Sequence, residues 1–226
     1  MPTRAELKMM AKLQLRGRWG SAIGAILIVG LISLGATFLA AIPLVGAIAF
    51  FVFMSVISLG ITAFFVKMSR GQNVEIGEVF QYFSFWRKSS VLLLLITVFT
   101  WLWALLFIIP GIVAAYRYRM AFYILLDNPE ISASEALRRS KEMMRGHKAE
   151  LFVQDLSFLG WALLCGFTCG LGYLVLAPYM TMTECNYYNK LSRYDDNFEA
   201  DGYEEAPYAP YTPEPEAPYD PQRPPR

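Results

Sequence analysis

The chain has 226 residues, of which 55% are apolar and only 17% are charged, and its net charge is +1. Soluble domains carry about 25% charged residues, whereas this chain has no Asp, Glu, Lys or Arg in the ranges 19–66, 89–116 and 156–183. About 20 apolar residues suffice to cross a bilayer, so these ranges exclude a soluble fold. The small net charge argues against nucleic acid as a partner. We predict an all-α, polytopic integral membrane protein whose main partner is the lipid bilayer.

The first segment, 1–18, is predicted to be a cytoplasmic amphipathic helix. Thr3 and Glu6 have the spacing of a capping box. Basic residues follow at intervals of four, namely Arg4, Lys8, Lys12 and Arg16. Such a helix is expected to lie on an anionic lipid surface. The apolar run after it is too long for the core of a signal peptide, so we expect it to be retained as the first span.

Residues 19–190 are predicted to contain six transmembrane helices in three hairpins. Pro and Gly break helices, and they mark three turns, at 41–46, 108–113 and 167–172. These turns carry no charge, whereas 14 of the 20 Lys and Arg lie in the N-terminus and in the segments 67–88 and 127–150. The positive-inside rule then places both termini on the cytoplasmic side of the cell membrane.

Two further amphipathic helices are predicted between the spans. In the first, Ile76, Val79, Phe80 and Phe83 follow the helical i, i+3, i+4, i+7 pattern. In the second, 132–146, Ser132 and Glu135 have capping-box spacing, and the apolar stripe consists of Ala133, Ala136, Leu137 and Met144. This second helix either covers the inner end of the bundle or docks a protein partner. Its candidate interaction residues are Ser132, Glu135, Arg138, Arg139 and Arg145.

Residues 191–226 are predicted to form a disordered cytoplasmic tail. They are rich in Pro, Tyr and acidic residues and contain "APY" three times. Such a composition cannot bury a core. The tail is either simply solvated or offers a ligand to a proline-binding protein partner.

No enzymatic activity is predicted. The only histidine is His147, and the chain has no paired-histidine metal motif, no G-x-S-x-G and no P-loop. We therefore assign no catalytic residue, no metal ligand and no cofactor. Cys165 and Cys169 lie four residues apart, which would place them on one helix face as small apolar packing residues.

Span four, 111–126, carries Arg117 and Arg119 at a depth where an arginine is costly unless it snorkels or is paired. Positions two apart on a helix differ by about 200°, so the two arginines point to different sides. Arg119 shares a face with Tyr116, Tyr123 and Asp127. The first candidate partner of Arg119 is Asp155, and the second is Glu184. The candidate intramembrane polar cluster thus comprises Tyr116, Arg117, Arg119, Tyr123, Asp155 and Glu184.

Several stretches together resemble a bacterial membrane family known as domain of unknown function 975. They are "LKMMAKLQLRGRWGSAI", "IIPGIVAAYRYRMAFYILLDNPEISASEALRRSKEMMRGHK", "LFVQDLSFLGW" and "GLGYLVLAPYMTMTECNYY". The part "EALRRSKEMMRGH" is also similar to the membrane domain of some glycerophosphodiester phosphodiesterases. The resemblance covers roughly residues 5 to 190 and implies a polytopic protein of the cytoplasmic membrane with no established activity.

Two functions follow from these observations. The first is a non-enzymatic, membrane-embedded interaction or regulatory module that binds partners through its cytoplasmic helices and tail. The second is a small transporter or lipid-handling protein that uses the intramembrane Arg119, Asp155 and Glu184 in a polar cavity. In the first case the Arg119–Asp155 pair only holds two helices together, and in the second it belongs to a substrate or ion site.

Overall fold

The structure, a computed structural model, describes residues 3–38, 45–168 and 170–196, and every regular element in these ranges is helical. The all-α prediction is therefore confirmed for the described residues. The elements are α1 (Arg4–Leu15), α2 (Trp19–Ala36), α3 (Val45–Ser69), a 3-10 helix (Ile76–Phe85), α4 (Trp86–Leu106), α5 (Ile108–Arg117), α6 (Ala121–Asp127), α7 (Ala133–Met143), α8 (Lys148–Phe167) and α9 (Tyr173–Asp196).

Four helical stretches are long and apolar enough to cross a membrane. They are Trp19–Ala36, Val45–Ser69, Ile76–Leu105 and Lys148–Phe167, which correspond to predicted spans one, two, three and five. Predicted span four is divided into α5 and α6. Predicted span six is α9, which contains Pro178 and is more polar than the other long helices.

Buried and exposed apolar side chains separate along the long helices. In α3, residues from Ser55 to Ser69 supply most of the buried positions, whereas Val45 and Ile48 are exposed. The main core joins these buried residues to α1, α6, α7 and the second half of α9. We call this end of the bundle the charged end, because ion pairs such as Arg70–Asp127 and Lys190–Glu150 lie there. The exposed apolar surface elsewhere is typical of helices that face lipid.

The 3-10 helix replaces the first predicted amphipathic α-helix. A 3-10 helix has about three residues per turn, so the residue that follows Val79 on the same side is Tyr82 rather than the predicted Phe83. Accordingly, Val79 is fully buried, whereas Phe83 is 42% exposed. Of the predicted stripe, Ile76, Val79 and Phe80 belong to the main core or pack against it, and only Phe83 does not.

The 3-10 helix lies directly against α3 at Gly60. A Cβ atom at Gly60 would lie 2.1 Å from the carbonyl oxygen of Val79. This is far inside the ordinary contact distance of about 3.5 Å. Glycine is therefore required at this contact because of the space, not because of its backbone angles.

The turn between α4 and α5 falls earlier than the predicted Pro-Gly position. Phe107 is the only residue between the two helices. Pro110 lies in the first turn of α5, where its missing N–H costs nothing. Gly111 allows α5 to pack back along α4, since a Cβ atom there would lie 2.7 Å from Ala104 Cα. The predicted turn at 41–46 lies mostly outside the described residues.

The apolar stripe of α1 packs against the bundle. Thr3 and Glu6 form the predicted capping box, and Leu7, Ala11 and Leu15 are buried. The Lys8 ammonium donates to Ser157 Oγ at 2.5 Å and lies over the ring of Phe158 in α8. At 100° per residue Lys8 falls beside the buried stripe and contacts α8, whereas Arg4, Lys12 and Arg16 are exposed. A position of α1 on a lipid surface stays a prediction.

The remaining predictions concern the cysteines and the tail. Cys165 and Cys185 are buried thiols, and Cys169 lies outside the described residues. Helix α9 continues to Asp196, so the beginning of the predicted tail is helical. The rest of the tail, 197–226, also lies outside the described residues.

Candidate functional site

Arg119 lies in a break between two helices. Tyr118 N donates to Ala114 O at the end of α5, and Ile124 N donates to Met120 O at the start of α6. Between them Tyr118, Arg119 and Met120 form a turn. The prediction of one continuous helix over 111–126 is wrong, because contacts from other helices bind both the side chain of Arg119 and the adjacent backbone.

The guanidinium of Arg119 joins α8 and α9. Its Nε and Nη2 atoms donate to the two carboxylate oxygens of Glu184, both at 2.9 Å. Its Nη1 atom donates to Asp155 Oδ2 at 2.8 Å, and the Tyr116 hydroxyl donates to the same oxygen at 2.8 Å. The fork-like pairing with Glu184 matches the planar geometry of guanidinium and carboxylate. Both candidate partners therefore bind, and Glu184, ranked second from the sequence, makes the larger number of bonds.

The cluster is half-buried and carries an excess of negative charge. The side chains of Arg119, Asp155 and Glu184 are 33%, 23% and 18% exposed. One arginine thus stands between two carboxylates. In surroundings of low polarity each of these charges depends on its partners, because an isolated ion would lose its hydration without compensation.

The other predicted members of the cluster lie around it. Tyr123 is buried and its ring lies 5.0 Å from that of Tyr188. The guanidinium of Arg117 lies 6.0 Å from the ring of Trp103. The structure therefore brings Tyr116, Arg119, Asp155 and Glu184 into one hydrogen-bonded group and places Arg117 outside it.

A second ion pair lies at the charged end. Arg70 binds both carboxylate oxygens of Asp127, at 2.9 and 2.6 Å, and the Tyr188 hydroxyl donates to Asp127 at 2.8 Å. The sequence placed Asp127 on the face of Arg119, but it did not predict Arg70 or Tyr188 as partners. These residues are far apart in the chain, and no local spacing relates them.

A cavity of about 500 Å³, largely open to the surface of the bundle, adjoins the Arg119–Glu184 pair. It lies between α3, α4, the α5–α6 break and α9, and both members of the pair line it. The hydroxyl residues Ser58, Thr62, Thr97 and Thr100 also line it. Sequence reasoning missed all four. Their one signal is that they interrupt otherwise apolar runs.

Thr100 lines the cavity, but its hydroxyl oxygen is not accessible from it. Its Oγ1 atom is buried and finds no partner among the described residues. A buried polar atom without a partner costs free energy.

Helix α7 contacts the α5–α6 break and lies on the side of the charged end. The Ser140 hydroxyl donates to the backbone carbonyl of Arg117 at 3.0 Å, at the last residue of α5. A helix end leaves such carbonyls without an intrahelical donor. Ser140, itself fully buried, therefore links α7 to the residues next to Arg119.

We expect S140A to destabilise the protein by about 1–2 kcal/mol, because the Arg117 carbonyl loses its donor. The measurement is the thermal unfolding midpoint of the detergent-purified protein. The matched control is S134A, at an exposed position of the same helix. Equal midpoints for the two variants would contradict the role of Ser140.

The predicted docking surface on α7 has no free apolar stripe. Ala133, Ala136, Leu137 and Met144 are all buried in the main core. Ser132 accepts the bond from Glu135 N. The carboxylate of Glu135, however, binds Arg138 and Arg139 and does not close the predicted capping box.

The exposed face of α7 is charged. Hydrogen bonds from Arg138 and then from Arg139 lower the pKa of Glu135 to about 2. Arg138 also pairs with Glu142, and Arg145 is exposed. Three of the predicted interaction residues, Glu135, Arg138 and Arg139, thus belong to a network of surface ion pairs.

These observations define an all-helical protein with at least four helices able to cross a membrane and a charged cluster beside a cavity. The chain belongs to the family described as "Protein of unknown function (DUF975)", whose model matches residues 1–115 and 105–195. This confirms the resemblance drawn from the sequence. A similarity to glycerophosphodiester phosphodiesterases is not shown. Neither a curated protein nor a solved structure matches the chain. Within residues 3–38, 45–168 and 170–196, no three His, Cys, Asp or Glu side chains group in a way that could hold a metal ion.

Proposed function

We propose that this chain is a six-span protein of the cytoplasmic membrane that binds and moves a small ligand through the cavity beside Arg119. This is the second of the two functions that the sequence predicts. One observation carries it, namely that Arg119 and Glu184 form part of the wall of a cavity of about 500 Å³. Ligand sites in proteins are typically cavities of about 300–1,000 Å³ with a few placed polar groups, whereas an ion pair that only joins helices needs no space beside it.

The broken helix supports the same proposal. Non-helical backbone at membrane depth is tolerated where it is buried in protein or lines a cavity. Tyr118 and Arg119 belong to the break and also line the cavity. Discontinuous helices of this kind commonly form the binding sites of transporters.

Two further spans complete the proposed topology, one formed by α5 and α6 together and one by α9. The α5–α6 pair, Ile108–Asp127, covers about the 20 residues that a crossing needs. Helix α9 is 24 residues long. Crossing by both would place both termini and the basic segments on the cytoplasmic side, as the positive-inside rule requires.

The interaction module has less support. It needs an apolar face that a partner can cover, but the stripes of α1 and α7 pack against the bundle. The Pro- and Tyr-rich tail stays a predicted ligand for a protein partner. We propose no enzymatic step for this chain.

Cysteine labelling tests whether water reaches the cavity. In a variant with Cys165, Cys169 and Cys185 replaced by alanine, single cysteines are introduced by T97C and A115C, whose positions line the cavity. The matched control is V98C, at an exposed apolar position next to Thr97 in α4. Maleimides react with thiolates in water, so we expect both cavity positions to label at least about tenfold faster than V98C.

Labelling in membrane vesicles with an impermeant maleimide also reports the side of access. If T97C and A115C react no faster than V98C from either side of the membrane, water does not reach the cavity. The proposed transport function would then be wrong.

A further inference from the structure

We infer that the cavity takes an organic cation that carries N–H donors on an apolar body, such as a primary ammonium attached to an aromatic or alkyl group. The inference rests on the proposed function, because it requires a cavity that a ligand can enter. It adds the chemical class of the ligand, which three features of the wall determine.

The first feature is that the wall offers hydrogen-bond acceptors. The hydroxyls of Ser58, Thr62 and Thr97 donate to the backbone carbonyls of Met54, Ser58 and Leu93 in their own helices. A hydroxyl has one proton and two lone pairs, so only the lone pairs of these three groups remain for a ligand. A ligand that donates hydrogen bonds is therefore matched to the wall.

The second feature is charge. Arg119 and Glu184 line the cavity, and Arg119 also binds a second carboxylate, Asp155, outside the lining. The cluster as a whole is therefore negative by one charge. Three other cations among the described residues come near this part of the bundle, and none of them lines the cavity. Lys12 lies 5.8 Å from the ring of Tyr179. Arg117 lies over Trp103, and Lys8 is bonded to Ser157. An excess negative charge beside the cavity favours a cation through Coulomb attraction.

The third feature is the aromatic part of the wall, which consists of Trp101, Tyr118, Phe122 and Tyr123. Aromatic faces attract cations and also cover the apolar part of a ligand. An inorganic cation would leave this surface unused. The combination of acceptors, negative charge and rings therefore matches an amphipathic amine.

The test uses A115C as reporter, because its position lines the cavity and its side chain is not among the hydrogen-bonding groups of the wall. Phenethylammonium is the cationic probe, and phenylpropanoate is an anion of similar size with the same ring. We expect saturating phenethylammonium to slow maleimide labelling of A115C by about tenfold, since bound ligand excludes the reagent in proportion to occupancy. Phenylpropanoate is expected to leave the rate unchanged.

Two variants examine the wall. E184Q in the A115C protein is expected to remove the protection by phenethylammonium. T62V removes one acceptor and is expected to raise the concentration needed for half-protection by about fivefold, the usual effect of one lost hydrogen bond. The matched control is T181V, because Thr181 makes the same type of backbone bond in α9 and does not line the cavity.

A second probe tests the need for N–H donors in the ligand. Trimethylphenethylammonium, which lacks N–H donors, should protect less well than phenethylammonium.

The outcomes separate the two proposals. If A115C is not labelled in the absence of probes, the proposed function fails and the ligand class fails with it. If A115C is labelled but phenethylammonium gives no protection, or phenylpropanoate protects equally well, the cavity is accessible and the inferred ligand class is wrong. Because T62V leaves the ion pairs intact, it tests the wall even if E184Q does not fold.

Discussion

Replacing Arg119 by Gln should destabilise the protein by about 3–5 kcal/mol, because both Asp155 and Glu184 are left without their cationic partner in a half-buried site. The measurement is the thermal unfolding midpoint of the purified protein, together with its yield as a monodisperse species. R138Q is the control. Arg138 pairs with Glu135 and Glu142 on the exposed face of α7, and surface pairs contribute only about 0–1 kcal/mol.

A second variant separates charge from packing. The triple substitution R119Q, D155N and E184Q removes all three charges, and relative to R119Q it keeps the side-chain volumes nearly constant. We expect it to recover most of the stability lost in R119Q, because the penalty of R119Q comes from unpaired carboxylates. If the triple variant is no more stable than R119Q, the carboxylates are not the source of the loss, and the cluster is not held together by charge.

The second large effect is expected at Gly60. In G60A the new Cβ atom would lie 2.1 Å from the carbonyl oxygen of Val79, so the 3-10 helix must move away from α3. Overpacking of this kind costs typically about 1–3 kcal/mol. We expect the upper end of that range or more, because the atom in the way is backbone. The unfolding midpoint measures this cost.

The control for G60A is G30A in α2. Gly30 has open space around its Cβ position and lies inside a helix. Alanine there should be neutral or stabilising by up to about 1 kcal/mol, owing to its higher helix propensity. If G60A proves as stable as G30A, the close approach of Val79 to α3 does not exist in the folded protein.

Several features of the fold could be predicted because they depend on short stretches of chain. The charge-free runs predicted apolar helices. Four helical stretches of the structure are long and apolar enough to cross a membrane. The Thr3–Glu6 spacing predicted a capping box that forms. The family followed from ordered motifs in the sequence and is confirmed.

Other features depended on contacts that local patterns do not encode. The 3-10 helix has a period of three because it packs against α3 at Gly60. The α5–α6 break coincides with the bond from Ser140 to the Arg117 carbonyl. In both cases a distant segment of the chain overrides the preference for a continuous α-helix.

The candidate site shows the same division. Depth and helix periodicity identified Arg119 and nominated Asp155 and Glu184, since an arginine among apolar residues needs a partner. They did not indicate that one arginine binds both carboxylates at once, or that the Tyr116 hydroxyl also donates to Asp155. They also missed Ser58, Thr62, Thr97 and Thr100, because single hydroxyls in apolar helices are common and only their convergence on one cavity gives them meaning.

By itself, then, the sequence determined the helical class, the membrane-compatible runs and the arginine that requires a partner, because hydropathy and charge are properties of the residues. Only the tertiary structure decided where the helix breaks, how the charges are shared and which hydroxyls surround the cavity. These features depend on pairs of residues that are distant in the chain, such as Arg119 and Glu184 or Arg117 and Ser140. Such residues come together only when the helices pack.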